Sequence, residues 1–489
     1  MQVLHICTEI YPLLKTGGLA DVTAALPPAL ATLGVDVRML IPGFPAICSG
    51  LNQRQLVAVL PGRFGADAIR LTLSVLPNGI LAYVIEAPAL YDRPGNPYVD
   101  ASGVSYPDNY RRFALLGWVG AQLAAGLDPS WRAEICHAHD WHAGLCAAYL
   151  KAARLKAGPG RENMTRAGSV LTIHNLAFQG LFPPEVMAEL DLPADFYDMH
   201  GMEFYGQVSF LKAGLFYSDK LTTVSPSYAR EIQEPLQGCG LQGLLAARAT
   251  DLTGILNGVD ATIWHPATDP AIPCRYDQAS LHDKQRCRAG LQGEAGIAQQ
   301  SRAPLFGVVS RLSDQKGLHL VLHGISELLA QGAQLIVLGE GEPELIAAFR
   351  QFALAHPTSV AITVGYDEGK AHRMIAGCDV LLVPSRFEPC GLTQLYALAY
   401  GTLPLVRRVG GLADSVVDFT PENLISDLAT GFVFDEFNEA AFISTLQRAC
   451  RMFNQKNVWL AMQQCAMRQS FNWTASAVQL LPIYRQLIF

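Results

Sequence analysis

Short apolar runs alternate with helix-length segments along most of the chain. The first half offers such runs at Val3–Cys7, Val37–Ile41, Leu81–Ile85, Ile135–His139, Ser169–Ile173 and Leu221–Val224. The second half offers Leu305–Val309, Gln334–Leu338, Val360–Val364, Asp379–Val383 and Leu403–Val406. Several are near-continuous apolar stretches bounded by Gly, Pro, Asn or Asp, as strands buried on both faces are. Such strands belong to parallel sheets covered by helices, so the pattern predicts an α/β protein.

The alternation stops between about Asp260 and Ala303, where Pro266, Pro270 and Pro273 precede a Gln/Arg-rich segment holding Gly290 and Gly293. A boundary near Gly254–Asp260 then gives two similar α/β halves, without a convincing sequence repeat between them. Ala157–Ala167, rich in Gly, Arg and polar residues, reads as an exposed loop of the first half. Trp473–Phe489 carries apolar residues at roughly helical spacing and fits a helix packed on either half. The helix following the first strand-like run is expected to break at Pro27-Pro28.

Composition narrows the class. Of 489 residues half are hydrophobic and 16% charged, which favours a large core and argues against disorder. With 36 Lys+Arg against 43 Asp+Glu the formal charge is −7, and no basic block marks a nucleic-acid partner. The mean hydropathy of +0.20 raises a membrane reading. No stretch, however, approaches the ~18 charge-free apolar residues of a spanning helix. The first residues show neither a basic n-region nor a small-residue cleavage site, so no signal peptide is expected. Eleven cysteines form no CxxC, and most, such as Cys7, Cys136 and Cys378, sit in apolar runs. That usage predicts reduced thiols in a cytoplasmic protein, with no disulfide framework and no zinc site.

In open parallel sheets ligands bind beyond the carboxyl ends of the strands, and there the unusual residues gather. Lys15-Thr16-Gly17-Gly18-Leu19-Ala20-Asp21 follows the first run, His137-Ala138-His139-Asp140-Trp141-His142 closes the fourth, His174-Asn175 ends the fifth, and Asn257-Gly258-Val259-Asp260 closes the half. In the second half come Ser310-Arg311, Gln315-Lys316-Gly317, Gly339-Glu340-Gly341, Gly365-Tyr366, Ser385-Arg386-Phe387-Glu388-Pro389-Cys390-Gly391 and Gly410-Gly411-Leu412. This sorting predicts a ligand cleft between two facing sheets.

Each motif carries a bland reading beside a chemical one. Gly17 and Gly18 can offer backbone N–H groups and a helix N-terminus to a phosphate, or form a plain tight turn; the loop is neither a Walker A nor a GxGxxG motif. His137, His139 and His142 invite a metal, but satisfied core histidines on a strand are the preferred reading, and Asp140 is read as facing a ligand. Arg311 and Lys316, with Gly317 permitting close approach, suit a diphosphate, against two solvated charges. Glu388 can bind sugar hydroxyls or stabilise positive charge, or simply favour the helix N-terminus near Gly391–Thr393. Tyr366 can stack on a base or merely pack, and Cys390 has no His base in sequence to make it a nucleophile.

Lys15–Val22, His137–His142, His174-Asn175-Leu176-Ala177-Phe178-Gln179-Gly180, Asn257–Asp260 and Ser385–Gln394 together resemble the bacterial glycogen synthases and plant starch synthases, in order over nearly the whole chain. The resemblance implies the GT-B fold: two Rossmann-like domains facing across a deep cleft, residues 1–253 and 254–469, with a helix over about 470–489 crossing back to the first. It implies transfer of glucose from ADP-glucose to the non-reducing 4-OH of an α-1,4-glucan with retention, without a metal or other cofactor. By motif, Lys15, Gly17, Gly18 and Asp21 would face the diphosphate and Arg311 and Lys316 neutralise it. Tyr366 would stack on adenine, and Cys390, Gly391, Leu392 and Thr393 would line the donor site. Asp140, His174, Asn257 and Glu388 would surround the glucose. Arg93-Pro94-Gly95-Asn96-Pro97-Tyr98 is similar to a family loop near the acceptor, which nominates Tyr98. Many members of the wider retaining class carry a second Glu where this chain has Tyr396. Oligomeric state stays open, as do a phosphorylase, a glucan-binding protein without catalysis and a dehydrogenase as competing readings.

Overall fold

The computed structural model describes residues 1–157 and 166–488, so most of the expected Ala157–Ala167 loop lies outside the described residues. The chain divides into two compact units, residues 1–258 with 473–489, and residues 259–472.

In the first unit, nine strands among the described residues form one sheet. Its order is Leu252–Gly254, Lys220–Thr223, Gly168–Ile173, Ile135–His139, Gln2–Ile6, Asp36–Pro42, Leu81–Glu86, Ala66–Val75 and Gln55–Arg63. The six expected runs all fall in it and pair in parallel. The sheet is nevertheless mixed rather than wholly parallel. Gln55–Arg63 and Ala66–Val75 form an antiparallel hairpin laid antiparallel on Leu81–Glu86. Phe64 and Gly65, both at positive φ, make its two-residue turn.

The helix Gly18–Thr32 does not break at Pro27 and Pro28, contrary to expectation. Pro28 has no N–H for the Ala24 carbonyl, and the Asn78 side-chain amide supplies the missing donor at 2.7 Å. Against this helix packs the helix Trp473–Arg485, whose Trp473, Ala477, Leu480 and Tyr484 share a core with Val3, Val22, Leu26, Leu30 and Val170. The Ser476 hydroxyl donates to the Leu256 carbonyl at 2.7 Å.

The second unit holds a parallel six-stranded sheet, ordered Val360–Val364, Gln334–Gly339, Leu305–Val309, Val380–Val383, Leu403–Arg407 and Phe432–Phe434. Successive residues enter opposite cores. Phe306, Leu335, Val337 and Leu382 face one, and Leu305, Ile336, Leu338 and Leu381 the other. This double burial is what the near-continuous apolar runs encode. Asp379, expected as the start of a strand, instead accepts the Leu305 N–H at 2.8 Å and pairs with Arg288 at 2.8 Å. Among the described residues no helix is long and apolar enough to cross a membrane. All eleven cysteines are free thiols.

Candidate active site

In the first unit the groups meet where Gln2–Ile6, Ile135–His139 and Gly168–Ile173 end. Glu9, which sequence reasoning missed, is only 3% exposed. Its carboxylate accepts the Thr16 N–H and hydroxyl at 2.5 and 2.6 Å, and the Gly17 N–H at 3.3 Å. The amide of Gly17 expected to meet a phosphate is therefore turned onto an internal carboxylate. Tyr98 donates to the same carboxylate, shares a 2.8 Å hydrogen bond with the Thr8 hydroxyl, and stacks on His142 at 4.6 Å. Burial and the Glu9 charge push the Tyr98 phenol well above its ordinary range. Lys15 pairs with Asp21 at 2.9 Å, joining the two polar ends of the glycine-rich loop. Gly17 itself is extended at φ −164°, and a Cβ there would meet nothing within 4 Å. Neither its backbone nor its protein neighbours require glycine.

Asp140 opens a one-turn helix at φ 56°, a left-handed conformation that Asp tolerates better than most residues. The turn aims its carboxylate at the neighbouring strand end, where Oδ1 accepts the His174 N–H at 2.7 Å and the Asn175 N–H at 3.3 Å. Burial raises its pKa to about 7, against the lowering effect of those two N–H groups. His174 thus sits beside Asp140 through its backbone, and its ring reaches His139 at 2.9 Å. Burial holds the His174 imidazole down near a pKa of about 3, and so neutral. Asn257 lies half-buried beyond Leu252–Gly254.

In the second unit Lys316 reaches both oxygens of Glu388, at 2.9 and 2.7 Å, and the Ser385 hydroxyl donates to the same carboxylate at 2.8 Å. Glu388 is 5% exposed. The lysine expected to neutralise a diphosphate is held by the carboxylate expected to meet the sugar. Two glycines fix this geometry. Gly317 has φ 67°, and a Cβ would stand 2.0 Å from the Pro384 carbonyl oxygen. Gly410 has φ 43°, and a Cβ would stand 2.0 Å from the Glu388 carbonyl oxygen. Arg311 is exposed and forms no ion pair among the described residues. Its loop is braced by Gly339-Glu340-Gly341, since Leu312 N–H donates to Glu340 at 2.7 Å and Glu342 N–H to Leu312 at 2.8 Å. That motif is scaffold here.

Tyr366 is 64% exposed and its hydroxyl bonds Glu368. Cys390 is buried, Gly391 has φ 71°, and Leu392 precedes the helix Thr393–Ala399. Tyr396, on that helix, stacks at 3.9 Å on Trp264, so it fills a packing position.

Residues 2–247 match the family model described as starch synthase catalytic domain, and residues 295–458 the model described as glycosyl transferases group 1. A solved structure of the catalytic domain of starch synthase IV from Arabidopsis thaliana, bound to ADP and acarbose, is similar at 28% identity and a TM-score of 0.88, covering 100% of this chain and 99% of that one. A sucrose-phosphate synthase from Thermosynechococcus elongatus shares the fold alone, at 16% identity and a TM-score of 0.59 over 99% of this chain and 98% of that one. Two α/β units of this kind define a GT-B glycosyltransferase, here a hexosyltransferase. Glycogen synthases of Francisella philomiragia and of Francisella tularensis subsp. novicida are each 54% identical over 100% of this chain and over 100% and 99% of their own lengths. The chain belongs to the glycogen synthase family.

Proposed function

We propose that the protein transfers glucose from ADP-glucose to the non-reducing 4-OH of an α-1,4-glucan, with retention of configuration, and so elongates glycogen. The observation that carries this reading is the ion pair of Lys316, in the loop of Arg311, with Glu388. A bound diphosphate would draw on the cations of Arg311 and Lys316, and so free one face of Glu388 for the sugar. Fixed cations that meet charge as it develops on a leaving group are usually a large catalytic contribution. No metal is then needed to hold the diphosphate.

In this reading the bond from the glucose anomeric carbon to ADP breaks, and its electron pair leaves with the diphosphate. The acceptor oxygen bonds to the same face of the carbon, and its proton passes to a phosphate oxygen. Arg311 and Lys316 stabilise the departing charge. Asp140, His174, Asn257 and Glu388 hold the glucose, and Lys15, Gly17, Gly18 and Asp21 lie on the diphosphate side. The open space over Gly17 suits a close-approaching ligand. Tyr366 stacks on adenine, Cys390, Gly391, Leu392 and Thr393 line the donor, and Tyr98 serves the acceptor. Eleven free thiols suit a reducing compartment, the cytoplasm.

The test mixes purified protein with glycogen and either ADP-glucose or UDP-glucose, with EDTA present, and follows nucleotide release and glucan growth. Release coupled to growth with ADP-glucose alone is expected. Activity only with UDP-glucose overturns the donor assignment, and activity abolished by EDTA overturns metal independence.

A further inference from the structure

His174 is the outer end of a buried hydrogen-bonded line. Its Nε2 lies 2.9 Å from His139 Nδ1, His139 Nε2 lies 2.9 Å from His5 Nδ1, and His5 Nε2 lies 3.3 Å from the Tyr484 hydroxyl. That hydroxyl reaches His137 Nδ1 at 2.6 Å, and His137 Nε2 reaches the Thr172 hydroxyl at 2.6 Å. Strand register builds the line. His5 aligns with His137 across one parallel pair, and His139 with Thr172 across the next. His5, His137, His139 and Tyr484 are all within 1% of complete burial. His5, His137 and His139 are close enough to share a metal ion. All six of their ring nitrogens, however, are engaged within this line.

Burial keeps every ring in the line neutral, with His5 at about 3 and His137 and His139 well below their ordinary range. A neutral imidazole has one donor nitrogen and one acceptor nitrogen. A direction chosen at one ring therefore passes to the next ring bonded to it, whereas the Tyr484 hydroxyl can donate once and accept on both sides. The contact between Tyr484 and His5 sets the direction for His5, His139 and His174. The two 2.6 Å contacts of His137, with Tyr484 and with Thr172, are alike and select no direction, but 3.3 Å between His5 Nε2 and the Tyr484 hydroxyl is beyond the reach of a hydroxyl donor and is that of a long N–H donor. Tyr484 thus accepts from His5 Nε2–H. His5 Nδ1 then accepts from His139 Nε2–H, and His139 Nδ1 accepts from His174 Nε2–H. The remaining nitrogen, His174 Nδ1, is left with its lone pair, and no group among the described residues bonds to it.

We propose that Tyr484, His5 and His139 are positioning residues that lock His174 in its Nε2–H tautomer, so that Nδ1 stands as an acceptor for a sugar hydroxyl. The assignment of His174 to the substrate rests on the function proposed above; the tautomer does not. A partner that fixes which ring nitrogen carries the proton also fixes what the other can bind.

The experiment is NMR of the full chain with ring-15N histidine, the His174 signals assigned by their loss in His174→Asn. Wild type is expected to show a proton on Nε2 and a bare Nδ1. In Tyr484→Phe, and in His5→Leu should the first fail to fold, the two His174 nitrogens are expected to move toward averaged values. Turnover should fall by about tenfold, the low end of the loss seen when a metal-bound histidine loses its outer partner. Wild-type His174 protonated on Nδ1, or a tautomer unmoved in the variant, overturns the proposal. A lowered Tm with the tautomer unmoved would make the line merely structural. Wild-type turnover in His174→Ala would defeat the role of His174 in the proposed function while leaving the tautomer result intact.

Discussion

Lys316 holds Glu388 with both carboxylate oxygens within 2.9 Å of its ammonium, across 72 positions of sequence. The two loops that carry them thus share one charge pair. Whatever anion competes for Lys316 alters the surroundings of Glu388 at the same time.

Replacing Lys316 by Ala should therefore do two things. It removes a cation from the leaving group, so kcat should fall by about 100-fold or more. It also leaves Glu388 buried without its ion-pair partner, which should cost about 1–3 kcal/mol of stability. Steady-state kinetics and urea unfolding separate the two. Near-wild-type turnover would remove Lys316 from the mechanism.

Asp140 should make stability depend on pH in an unusual sense. Its pKa is raised to about 7 in the fold, above the unfolded value of 3.8. Between those values the folded state binds more protons than the unfolded state, so this contribution to stability falls as pH rises from 4 to 7. Asp140→Asn can keep the left-handed backbone and the acceptor oxygen but cannot ionise. Its stability relative to wild type should rise by up to about 4 kcal/mol between pH 4 and pH 8. A difference that stays constant across that range contradicts the shift.

Two glycines should behave oppositely. Gly317→Ala forces a Cβ against the Pro384 carbonyl at a positive φ, and should lower Tm and turnover together. Gly17→Ala meets no protein atom and no backbone strain, so its Tm should stay at the wild-type value. If ADP-glucose approaches that backbone closely, its KM should rise in Gly17→Ala. An unchanged KM would place the donor elsewhere.

Asn78→Ala tests how the helix Gly18–Thr32 survives its two prolines. The Ala24 carbonyl would lose its donor, at a cost of about 1 kcal/mol. Urea unfolding of the variant against wild type measures it. No loss would mean that solvent satisfies the carbonyl equally well.

The parts legible in the sequence are those whose physics is local or doubly buried. Leu305–Val309 and Leu81–Ile85 read as strands because both faces are apolar. Gln55–Arg63 and Ala66–Val75 did not, because much of their surface meets solvent at the sheet edge. Leu252–Gly254 is too short to register as a run. Glu9 carries no glycine or strand-end signature of its own. Its trace is indirect: the N–H groups of Thr16 and Gly17 need an acceptor, and Glu9 is the carboxylate at the same strand end. The break expected at Pro27-Pro28 overlooked a donor 54 positions away. The histidine line is invisible to sequence, because strand register and a helix from beyond the second unit assemble it.

That helix also sets an order of assembly. Residues 259–472 leave the ribosome before Trp473–Arg485 does. The first unit begins synthesis first, yet lacks Tyr484 and the cover over Val3 and Val170 until the whole second unit has been made. Domains usually mature in the order in which they are translated. Here the later unit has all its residues while the earlier one is still open along that face, so a nascent chain cannot acquire a locked His174 before Tyr484 has been made.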